Sequence, residues 1–348
     1  MKKVAVIGYG GQGAWHCGQI LKSDVCSLAG TYDIKEVRRE AAKNNGIKVY
    51  ASNEEIFADD SVDIVVIAVP NDKHKELVVK AFEKGKNVIC EKPVEMSVKA
   101  LDEMISASEK YNKFFTVHQN RRWDVDFLAM KKVIESGEIG KPICVESRIH
   151  GSRGIPSDWR CEKQYGGGMI LDWGVHLIDQ MLQLIPNKKI TGVYCRCSYI
   201  TKKEVDDGFK LNLIFEDGTT ALIEVGTYNF LPMPRFYMQA ENGSAKIEDW
   251  QHKCHVARLK AWQEKDVTPV QNAAGITKTM APRDSLTLDE YDIDIQKSDV
   301  HEFYRNVCAH LDGQAESLIK LSEVRRVMQV MEAAFESDKS GQALKTEI

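Results

Sequence analysis

Asp172 and His176 stand four residues apart, shortly after the run Gly166-Gly167-Gly168. In a helix this spacing puts both side chains on one face, and Asp179 continues the same stripe. A histidine has an intrinsic pKa suited to proton transfer near neutrality, and an aspartate beside it could accept a substrate hydroxyl or orient the imidazole. Gly174 between them costs helix stability, which suggests close approach of a ligand or of another backbone segment. The alternative is structural: an aspartate that stabilises the helix dipole and a buried core histidine.

A second candidate for chemistry is the tripeptide Glu91-Lys92-Pro93, which follows a predicted strand over 87–90. Pro93 fixes its own backbone and constrains Lys92 to an extended conformation. A lysine held rigidly at a ligand-binding edge could orient or protonate a substrate oxygen. A solvated surface lysine beside an ordinary turn proline is the alternative.

A glycine-rich turn near the N-terminus has the spacing that a phosphate group needs. A short apolar run over 4–7 leads into Gly8-x-Gly10-x-x-Gly13. Gly8 permits a tight turn, Gly10 lets the backbone approach a pyrophosphate, and Gly13 lets the following helix pack against the strand. That helix offers unpaired N–H donors and a partial positive charge to an anion. We therefore predict a dinucleotide site that includes Gly8, Gly10, Gly11, Gln12 and Gly13.

Asp33 lies twenty residues beyond Gly13, at the end of a second apolar run over 25–32. A carboxylate at this position can accept hydrogen bonds from both ribose hydroxyls and would repel a 2′-phosphate. The sequence therefore predicts NAD as the cofactor, with NADP less favoured. Lys35 and Arg38 are close in sequence and could weaken that repulsion.

These residues need a scaffold that brings strand ends together, and the first third of the chain has the pattern of one. Apolar runs predict strands over 4–7, 25–32, 62–69, 87–90 and 114–118, separated by helices. This alternation is typical of a parallel, doubly wound α/β sheet, in which ligands bind outside the carboxyl ends of the strands. We assign residues 1–121 to an N-terminal dinucleotide-binding domain of the Rossmann type.

The pattern changes after this point, and residues 122–348 are predicted to form an α+β domain. Helices are expected over 126–136, after the three glycines up to residue 185, and over 299–311 and 321–335. Between them, strands with hairpin turns at Asp217-Gly218 and Asn242-Gly243 predict a large, mostly antiparallel open sheet. The polar stretch 264–297 has little periodicity, and we predict a flap over the site there.

Composition excludes several classes of protein. The 348 residues carry 47 basic and 51 acidic side chains without a basic block, so no nucleic-acid partner is expected. No apolar run reaches membrane-spanning length, and a strand that begins by residue 4 predicts the absence of an export signal. Nine cysteines without a C-x-x-C pair are typical of reduced thiols in the cytoplasm. His252, Cys254 and His255 match no common zinc spacing, so we predict no metal.

Taken together, these motifs resemble those of the Gfo/Idh/MocA oxidoreductases, a family that includes glucose–fructose oxidoreductase and inositol dehydrogenase. The resemblance implies a nicotinamide cofactor in the first domain and a sugar or cyclitol on the sheet of the second domain. It runs in order from residue 1 to about 185. The matching motifs are Gly8 to Gly13, Val69-Pro70-Asn71 with His74, Glu91-Lys92-Pro93, Gly137-Glu138-Ile139-Gly140-Lys141-Pro142, Trp159-Arg160, and Gly166-Gly167-Gly168 through Asp172-x-Gly174-x-His176.

The resemblance also implies roles for particular residues. Lys92, Asp172 and His176 would be the catalytic residues, with the Lys92–Pro93 bond in the cis form. Further cofactor contacts are predicted from Pro70, Asn71, His74, Glu91 and Lys92. Members of this family form oligomers through the open face of the second sheet, which implies a homodimer or homotetramer.

The predicted substrate site adds side chains from the domain junction and from the loop before the glycines. Arg122 belongs to a basic run over 120–123 and could contact substrate or cofactor, with a plain interdomain salt bridge as the alternative. Trp159 could stack on the apolar face of a sugar, although a core or interface tryptophan is also compatible with the sequence. Arg160, Asp172 and His176 complete the predicted set.

The expected reaction is NAD-dependent oxidation of a secondary hydroxyl of a sugar, sugar derivative or cyclitol. His176 would take the hydroxyl proton, Lys92 would polarise the oxygen, and Asp172 would hold a neighbouring hydroxyl or steer His176. An NAD-dependent glycosidase that oxidises its sugar transiently fits the same residues. A non-catalytic cofactor-sensing regulator is a third possibility, but a sensor needs no proton-transfer group.

Overall fold

A computed structural model describes residues 1–201, 204–250, 253–260, 268–293 and 297–348. Strands and helices alternate in the first part of the chain, as the sequence predicts. They are β1 (Lys2–Ile7), α1 (Gly11–Ile20), β2 (Cys26–Tyr32), α2 (Glu36–Asn44), α3 (Asn53–Ala58), β3 (Ile64–Ile67), α4 (His74–Glu83), β4 (Asn87–Cys90), α5 (Val98–Lys110) and β5 (Phe115–Val117).

The first five strands form a parallel sheet in the order β2-β1-β3-β4-β5. An isolated parallel bridge between Thr31 and Val49 extends this sheet beyond β2, as a minimal additional strand would. The strand order reverses between β1 and β3, and ligands of such sheets bind outside the carboxyl ends of the strands at this point. All four residues of β3 are buried because helices cover both faces of the sheet. The predicted Rossmann architecture is therefore confirmed.

The second part of the chain contributes most of the strands. Its elements are α6 (Val125–Ser136), β6 (Pro142–His150), a π-helical turn (Ile170–Gly174), α7 (Val175–Leu184), β7 (Ile190–Ser198), β8 (Gly208–Phe215), β9 (Thr220–Gly226), β10 (Phe236–Ala240), β11 (Gly243–Ile247), β12 (Cys254–Leu259), β13 (Val270–Asn272), β14 (Gly275–Thr277), β15 (Leu288–Ile293), α8 (His301–Leu311), α9 (Leu321–Ser340) and β16 (Leu344–Lys345).

Over the described residues, nine of these eleven strands form one sheet in the order β15-β12-β11-β10-β6-β9-β8-β7-β16, and β13 and β14 form a separate hairpin. The pairings of the nine-stranded sheet are antiparallel except for β6 with β9, which confirms the prediction of a large, mostly antiparallel sheet. Along β8, apolar residues point to a buried face and alternate with exposed residues. The helices α7 and α9 pack against the buried face, so one face of the sheet is covered and the other is open.

The two C-terminal helices return to the first part of the chain. The Tyr304 hydroxyl in α8 lies 2.7 Å from Nδ1 of His16 in α1. In α9, Glu332 accepts from the backbone N–H of Val98, and Arg325 forms a bidentate ion pair with Asp102. The last two helices therefore brace the Rossmann sheet as well as the second sheet.

Some elements were not predicted from the sequence, and some predictions fall partly outside the described residues. The stretch 264–297, predicted to be a flap, contains the β13–β14 hairpin and the edge strand β15, which pairs with β12; residues 261–267 and 294–296 lie outside the described residues. The sequence did not predict α3 or β12. Of the proposed soft-ligand cluster, His252 also lies outside the described residues. Within the described ranges, none of the helices combines the length and the apolarity needed to cross a membrane.

Candidate active site

The glycine turn after β1 leaves open space for a phosphate among the residues that the structure describes. A Cβ on Gly8 would lie 2.2 Å from the Ala68 carbonyl oxygen, and one on Gly13 would lie 1.9 Å from the Gly8 carbonyl oxygen. A Cβ on Gly10 or Gly11 would meet no atom of the described ranges within 4 Å. The first turn of α1 has no side-chain cap, so its N–H donors are open to an anion. These residues therefore fit the pyrophosphate of a dinucleotide.

Asp33 follows β2 and lies beside the same turn. Its Oδ2 accepts from the backbone N–H of Tyr9 at 2.7 Å, and its Oδ1 accepts from the N–H of Lys35 at 2.8 Å. Arg39, and not Arg38, is the basic residue held here, because it donates to the carbonyl oxygen of Asp33. Two backbone donors therefore fix the carboxylate next to the glycine turn, where a ribose would bind.

The remaining predicted cofactor residues at this edge differ in exposure. Gln12 is exposed on the first turn of α1, and Pro70 is exposed after β3. Asn71 is buried, and its side-chain amide donates to the Gly166 carbonyl oxygen at 3.2 Å. Asn71 therefore ties the Rossmann domain to the glycine run of the second domain, a contact that its sequence position did not predict.

His74, predicted to contact the cofactor, lies among backbone carbonyl groups of the protein, and its contact with the cofactor stays a prediction. Its side chain is fully buried, and Nδ1 lies 3.0 Å from the Pro93 carbonyl oxygen. Nε2 lies 2.9 Å from the carbonyl oxygen of Val69. His74 therefore joins the loop after β3 to the turn after β4.

Glu91, also predicted to contact the cofactor, has partners for its carboxylate within the protein. Oε1 lies 2.8 Å from Nε2 of His16 and 2.7 Å from Nδ1 of His118, while Oε2 accepts from the backbone N–H of Lys92. These contacts commit both carboxylate oxygens to groups of the protein. The carboxylate is thus part of the internal support of the site.

Lys92 and Asp172 come together across the two domains, as predicted. Lys92 Nζ donates to Asp172 Oδ1 at 3.1 Å and to the carbonyl oxygen of Asp172 at 2.9 Å. Arg160 Nε donates to the other carboxylate oxygen at 3.0 Å. Burial alone would raise the pKa of Asp172, but Lys92 and Arg160 outweigh that penalty and hold the pKa below its usual value. The Lys92–Pro93 peptide bond is cis, as the resemblance implied.

His176 follows Asp172 by one helical turn and is 4% exposed. Its Nδ1 is buried and has no hydrogen-bond partner among the described residues. Burial is the main cause that holds the pKa of His176 well below its ordinary value, and the cations of Lys92 and Arg121 lower it further. The imidazole is therefore neutral near pH 7 and able to accept a proton.

A π-helical turn carries Asp172 into the site. The turn begins where the carboxylate of Asp206 accepts from the backbone N–H of Ile170 at 2.8 Å. The close approach at Gly174, which the sequence attributed to a ligand or backbone, is made by the ring of Phe209, 3.1 Å from the position of a Cβ. Tight packing, and not ligand contact, explains this glycine.

Arg122 forms an interdomain salt bridge, which was the alternative to a substrate or cofactor contact in the sequence analysis. Its guanidinium donates to both carboxylate oxygens of Asp179, at 2.8 and 2.6 Å, and to Glu323 at 2.8 Å. The guanidinium of Arg122 therefore forms an ion pair between the domain junction, α7 and α9, and its contact with a substrate stays a prediction. Asp179 continues the stripe of Asp172 and His176, but its function is to bind Arg122.

Arg160 and Trp159 stack on each other, with the guanidinium carbon 4.7 Å from the indole centroid. Arg160 also donates to Asp158, so its contacts are with two carboxylates and one ring. It orients Asp172 directly. Stacking of Trp159 on a sugar stays a prediction.

Three residues beside His176 were missed by sequence reasoning. Trp173 packs edge-on against His176 with ring centroids 6.1 Å apart, and Trp250 lies 5.9 Å beyond it. The Arg121 guanidinium stacks over both indoles, at 4.2 and 5.3 Å. The basic run over 120–123 was the available signal, but the sequence argument favoured the neighbouring arginine. These side chains form one wall beside the predicted base.

Comparisons with known proteins give a consistent result. Residues 2–119 match the profile of the Gfo/Idh/MocA oxidoreductase family, NAD-binding Rossmann fold, and residues 127–246 match a Gfo/Idh/MocA C-terminal domain. The crystal structure of an NAD-binding protein from Listeria innocua superposes with a TM-score of 0.95 at 40% identity, covering 99% of each chain.

Curated relatives cover different shares of the chain. A scyllo-inositol 2-dehydrogenase (NADP(+)) of Bacillus subtilis is 25% identical over 350 residues, which span 99% of this chain and 96% of that protein. An uncharacterized oxidoreductase of Schizosaccharomyces pombe is 37% identical over 170 residues, 48% of this chain and 46% of that protein. The chain thus spans about half the length of the first curated relatives that it matches.

Proposed function

The chain belongs to the Gfo/Idh/MocA oxidoreductase family, and on that premise we propose that it is a dehydrogenase for a secondary hydroxyl of a sugar, sugar derivative or cyclitol. The observation that supports this most is the contact of Lys92 Nζ with Asp172, 3.1 Å from Oδ1, one helical turn before His176. The ammonium group of Lys92 contacts the carboxylate of Asp172, and the neutral imidazole of His176 is near enough for Lys92 to lower its pKa, although burial is the larger cause.

The three side chains divide the proton chemistry between them. Neutral His176 accepts the proton of the substrate hydroxyl. Lys92 donates a hydrogen bond to the same oxygen and stabilises the negative charge that develops on it. Asp172, held between Lys92 and Arg160, fixes the direction of the ammonium group and accepts from a neighbouring hydroxyl.

The cofactor of this proposal is a nicotinamide dinucleotide, which supplies the hydride acceptor when it is bound. The open positions at Gly10 and Gly11 and the uncapped first turn of α1 would hold its pyrophosphate. Asp33 would accept from the ribose hydroxyls, which favours NAD over NADP. The Bacillus subtilis relative is named as NADP-dependent, so Asp33 is the residue on which the preference of this chain depends.

The experiment is a substrate panel with the purified protein. Sugars, cyclitols, acyclic polyols and glycosides are each incubated with NAD, and NADH is followed by absorbance. Accumulation of NADH with a free sugar or cyclitol, lost in a folded Lys92→Ala variant, is the expected result. Release of an aglycone from glycosides without net NADH would replace the proposal with the glycosidase reaction. Tight NAD binding without turnover on any compound would favour a sensor.

We also infer a homodimer or homotetramer that forms through the open face of the nine-stranded sheet. Ile214 on β8 is 50% exposed there, and Tyr194 on the neighbouring strand is 38% exposed. An apolar patch on the uncovered face of a sheet is typical of an interface. Light scattering coupled to size-exclusion chromatography measures the mass, and a monomer at micromolar concentration would contradict the inference. A cytoplasmic location stays a prediction.

A further inference from the structure

A buried cluster behind Lys92 has no role in the proton chemistry described above. It consists of Glu91, His16, His118 and Tyr304, all less than 9% exposed. The cluster joins four elements, because its members lie in α1, at the ends of β4 and β5, and in α8. A charged group in such a place is costly unless it is fully hydrogen bonded.

We propose that this cluster is a positioning network for Lys92, in which the carboxylate of Glu91 fixes the position of the Lys92 main chain relative to α1. The proposal rests on the dehydrogenase function, since it concerns the placement of the group that polarises the substrate oxygen. Glu91, His16 and His118 are positioning residues, because their contacts are with protein groups and not with the reacting atoms.

The two oxygens of the carboxylate have different partners. Oε1 accepts from His16 Nε2 at 2.8 Å and from His118 Nδ1 at 2.7 Å. Oε2 accepts from the backbone N–H of Lys92 at 3.1 Å. Burial by itself would raise the pKa of Glu91, but His118 and His16 outweigh it and the pKa lies well below the usual value. The group is thus a fixed anion that cannot turn towards a ligand without losing three hydrogen bonds.

His16 connects this anion to the cofactor helix. It lies one turn beyond Gly13 in α1, and its Nδ1 is 2.7 Å from the Tyr304 hydroxyl. Burial first, and then His118, lower the pKa of His16, so the ring is neutral. The network then requires Nε2–H to donate to Glu91 and Nδ1 to accept from the hydroxyl of Tyr304. Helix α1, which would hold the pyrophosphate, and the main chain of Lys92 are joined through one histidine and one carboxylate.

The same atoms resemble a two-histidine, one-carboxylate metal site, since they lie within 4.8 Å of one another. Their separations argue against a metal. Zinc ligands at about 2.0–2.1 Å from the ion stand roughly 3.3 Å apart in a tetrahedron. The nitrogen–oxygen distances of 2.7 and 2.8 Å are instead those of charge-assisted hydrogen bonds with a proton in between.

The test compares Glu91→Gln with Lys86→Gln as a matched control. Lys86 is equally buried just before β4, at the opposite end of the strand from Glu91, and it donates to the carbonyl oxygens of Asp59 and Val62. In Glu91→Gln, kcat should fall roughly 10- to 100-fold, because small displacements of a catalytic group have effects of this size. The Kd for NAD should stay at the wild-type value. Lys86→Gln should lower Tm and leave kcat unchanged.

A second measurement does not depend on turnover. Lys92 is partly shielded and bound to Asp172, so an amine-reactive reagent should label it slowly in the wild type. Mass spectrometry of the peptide that contains Lys92 should show faster labelling in Glu91→Gln and the wild-type rate in Lys86→Gln. Tyr304→Phe, which removes a single hydroxyl, should increase the labelling rate of Lys92 by a smaller factor. This variant replaces Glu91→Gln in the test if Glu91→Gln does not fold.

The outcomes separate this proposal from the proposed function. If Lys92 is labelled faster in Glu91→Gln but the wild type forms no NADH with any compound of the panel, the positioning network is supported and the dehydrogenase function is refuted. Wild-type labelling and kcat in Glu91→Gln would overturn the network. The network would also be overturned if Glu91→Gln lost NAD affinity while the labelling of Lys92 stayed unchanged, or if both variants lost kcat equally. Stoichiometric zinc in the wild type that is absent from Glu91→Gln would overturn it as well.

Discussion

His176 is a buried imidazole whose Nδ1 has no hydrogen-bond partner in the part of the chain that the structure describes, and burial and then Lys92 lower its pKa. A general base works only while it is neutral, so kcat/KM for oxidation should fall as pH drops through the pKa of the free enzyme's histidine. Because burial and the nearby cations depress that pKa, the acid limb should lie below about 6.5, the ordinary value for histidine. At pH values above this pKa, the titration of His176 should no longer change kcat/KM.

The variant His176→Asn keeps a polar side chain of similar size but cannot take the proton. It should lose roughly 10²- to 10⁴-fold in rate, the usual contribution of a positioned base, and the acid limb should disappear. The pH dependence of kcat/KM is measured for both proteins with the best substrate from the panel. A variant that keeps the wild-type acid limb with little loss of rate would place the base elsewhere.

Asp33 should determine the choice of cofactor. Its carboxylate is fixed by the N–H groups of Tyr9 and Lys35 where a ribose 2′-substituent would lie. Wild type should bind NAD more tightly than NADP, and Asp33→Ser should shift the ratio of the two Kd values towards NADP by roughly tenfold, about 1.4 kcal/mol. Glu36→Ser, which removes an exposed carboxylate in the first turn of α2, should leave the ratio unchanged. Tighter NADP binding by the wild type would refute the assignment.

The chemistry of single residues was easier to predict than their partners. Lys92 and Asp172 meet because one follows a strand at the carboxyl edge of the parallel sheet and the other begins a helix at the same edge. Residue type alone could not distinguish Arg121, which stacks on Trp173, from Arg122, which binds Asp179. The two arginines share a short 3-10 turn, where a shift of one residue changes the direction of the side chain completely.

At the scale of the element, the π-helical turn that carries Asp172 depends on Asp206. Burial raises the pKa of Asp206 to about 7, even though its carboxylate accepts from the N–H of Ile170. In the unfolded chain the same group titrates near 3.9. Between roughly pH 4 and pH 7 the folded protein therefore binds more protons than the unfolded chain, and stability should fall as pH rises through this window.

The variant Asp206→Asn should remove this dependence, because its amide oxygen can still accept from the N–H of Ile170. As pH rises from 5 to 8, the Tm of Asp206→Asn should increase relative to the Tm of the wild type. The neighbour Asp207 is a matched control, since hydrogen bonds from Thr201 and Ser198 outweigh burial and lower its pKa. Asp207→Asn should keep a constant difference in Tm from wild type between pH 5 and pH 8, because the pH dependence that a lowered pKa produces lies below about pH 4. Parallel trends in the two variants would contradict the assignment.

Elements with strong local signals were predicted closely. The strand β4 runs from Asn87 to Cys90 as expected, because a helix-ending glycine and a proline bound a short buried run. The hairpin at Asp217-Gly218 was also predicted, since Gly218 adopts the positive φ of such a turn. The π-helical turn was not, because its apolar pattern is indistinguishable from that of an α-helix. The parallel pairing of β6 with β9 depends on contacts across 76 residues, such as that of Arg148 with Glu224, which no local pattern encodes.

At the scale of the whole molecule, one arginine joins the domain junction to two helices. Arg122 is 10% exposed and donates to Asp179 in α7 and to Glu323 in the first turn of α9. Asp179 is only 2% exposed. Removal of one partner from such a pair leaves an uncompensated buried charge, which is far more destabilising than loss of an ion pair at the surface.

Arg122→Met should therefore lower the free energy of unfolding by about 3–5 kcal/mol. The double variant Arg122→Met/Asp179→Leu should recover most of this loss, because it removes the stranded carboxylate together with its partner. Arg325→Met is the matched control: its bidentate pair with Asp102 has similar geometry, but both side chains are about 40% exposed, so the loss should be under about 1 kcal/mol. Urea unfolding followed by tryptophan fluorescence measures all three variants. If Arg122→Met unfolded like the wild type and instead raised KM for the substrate, the guanidinium would be a substrate ligand, and the ion pair would not be its main function.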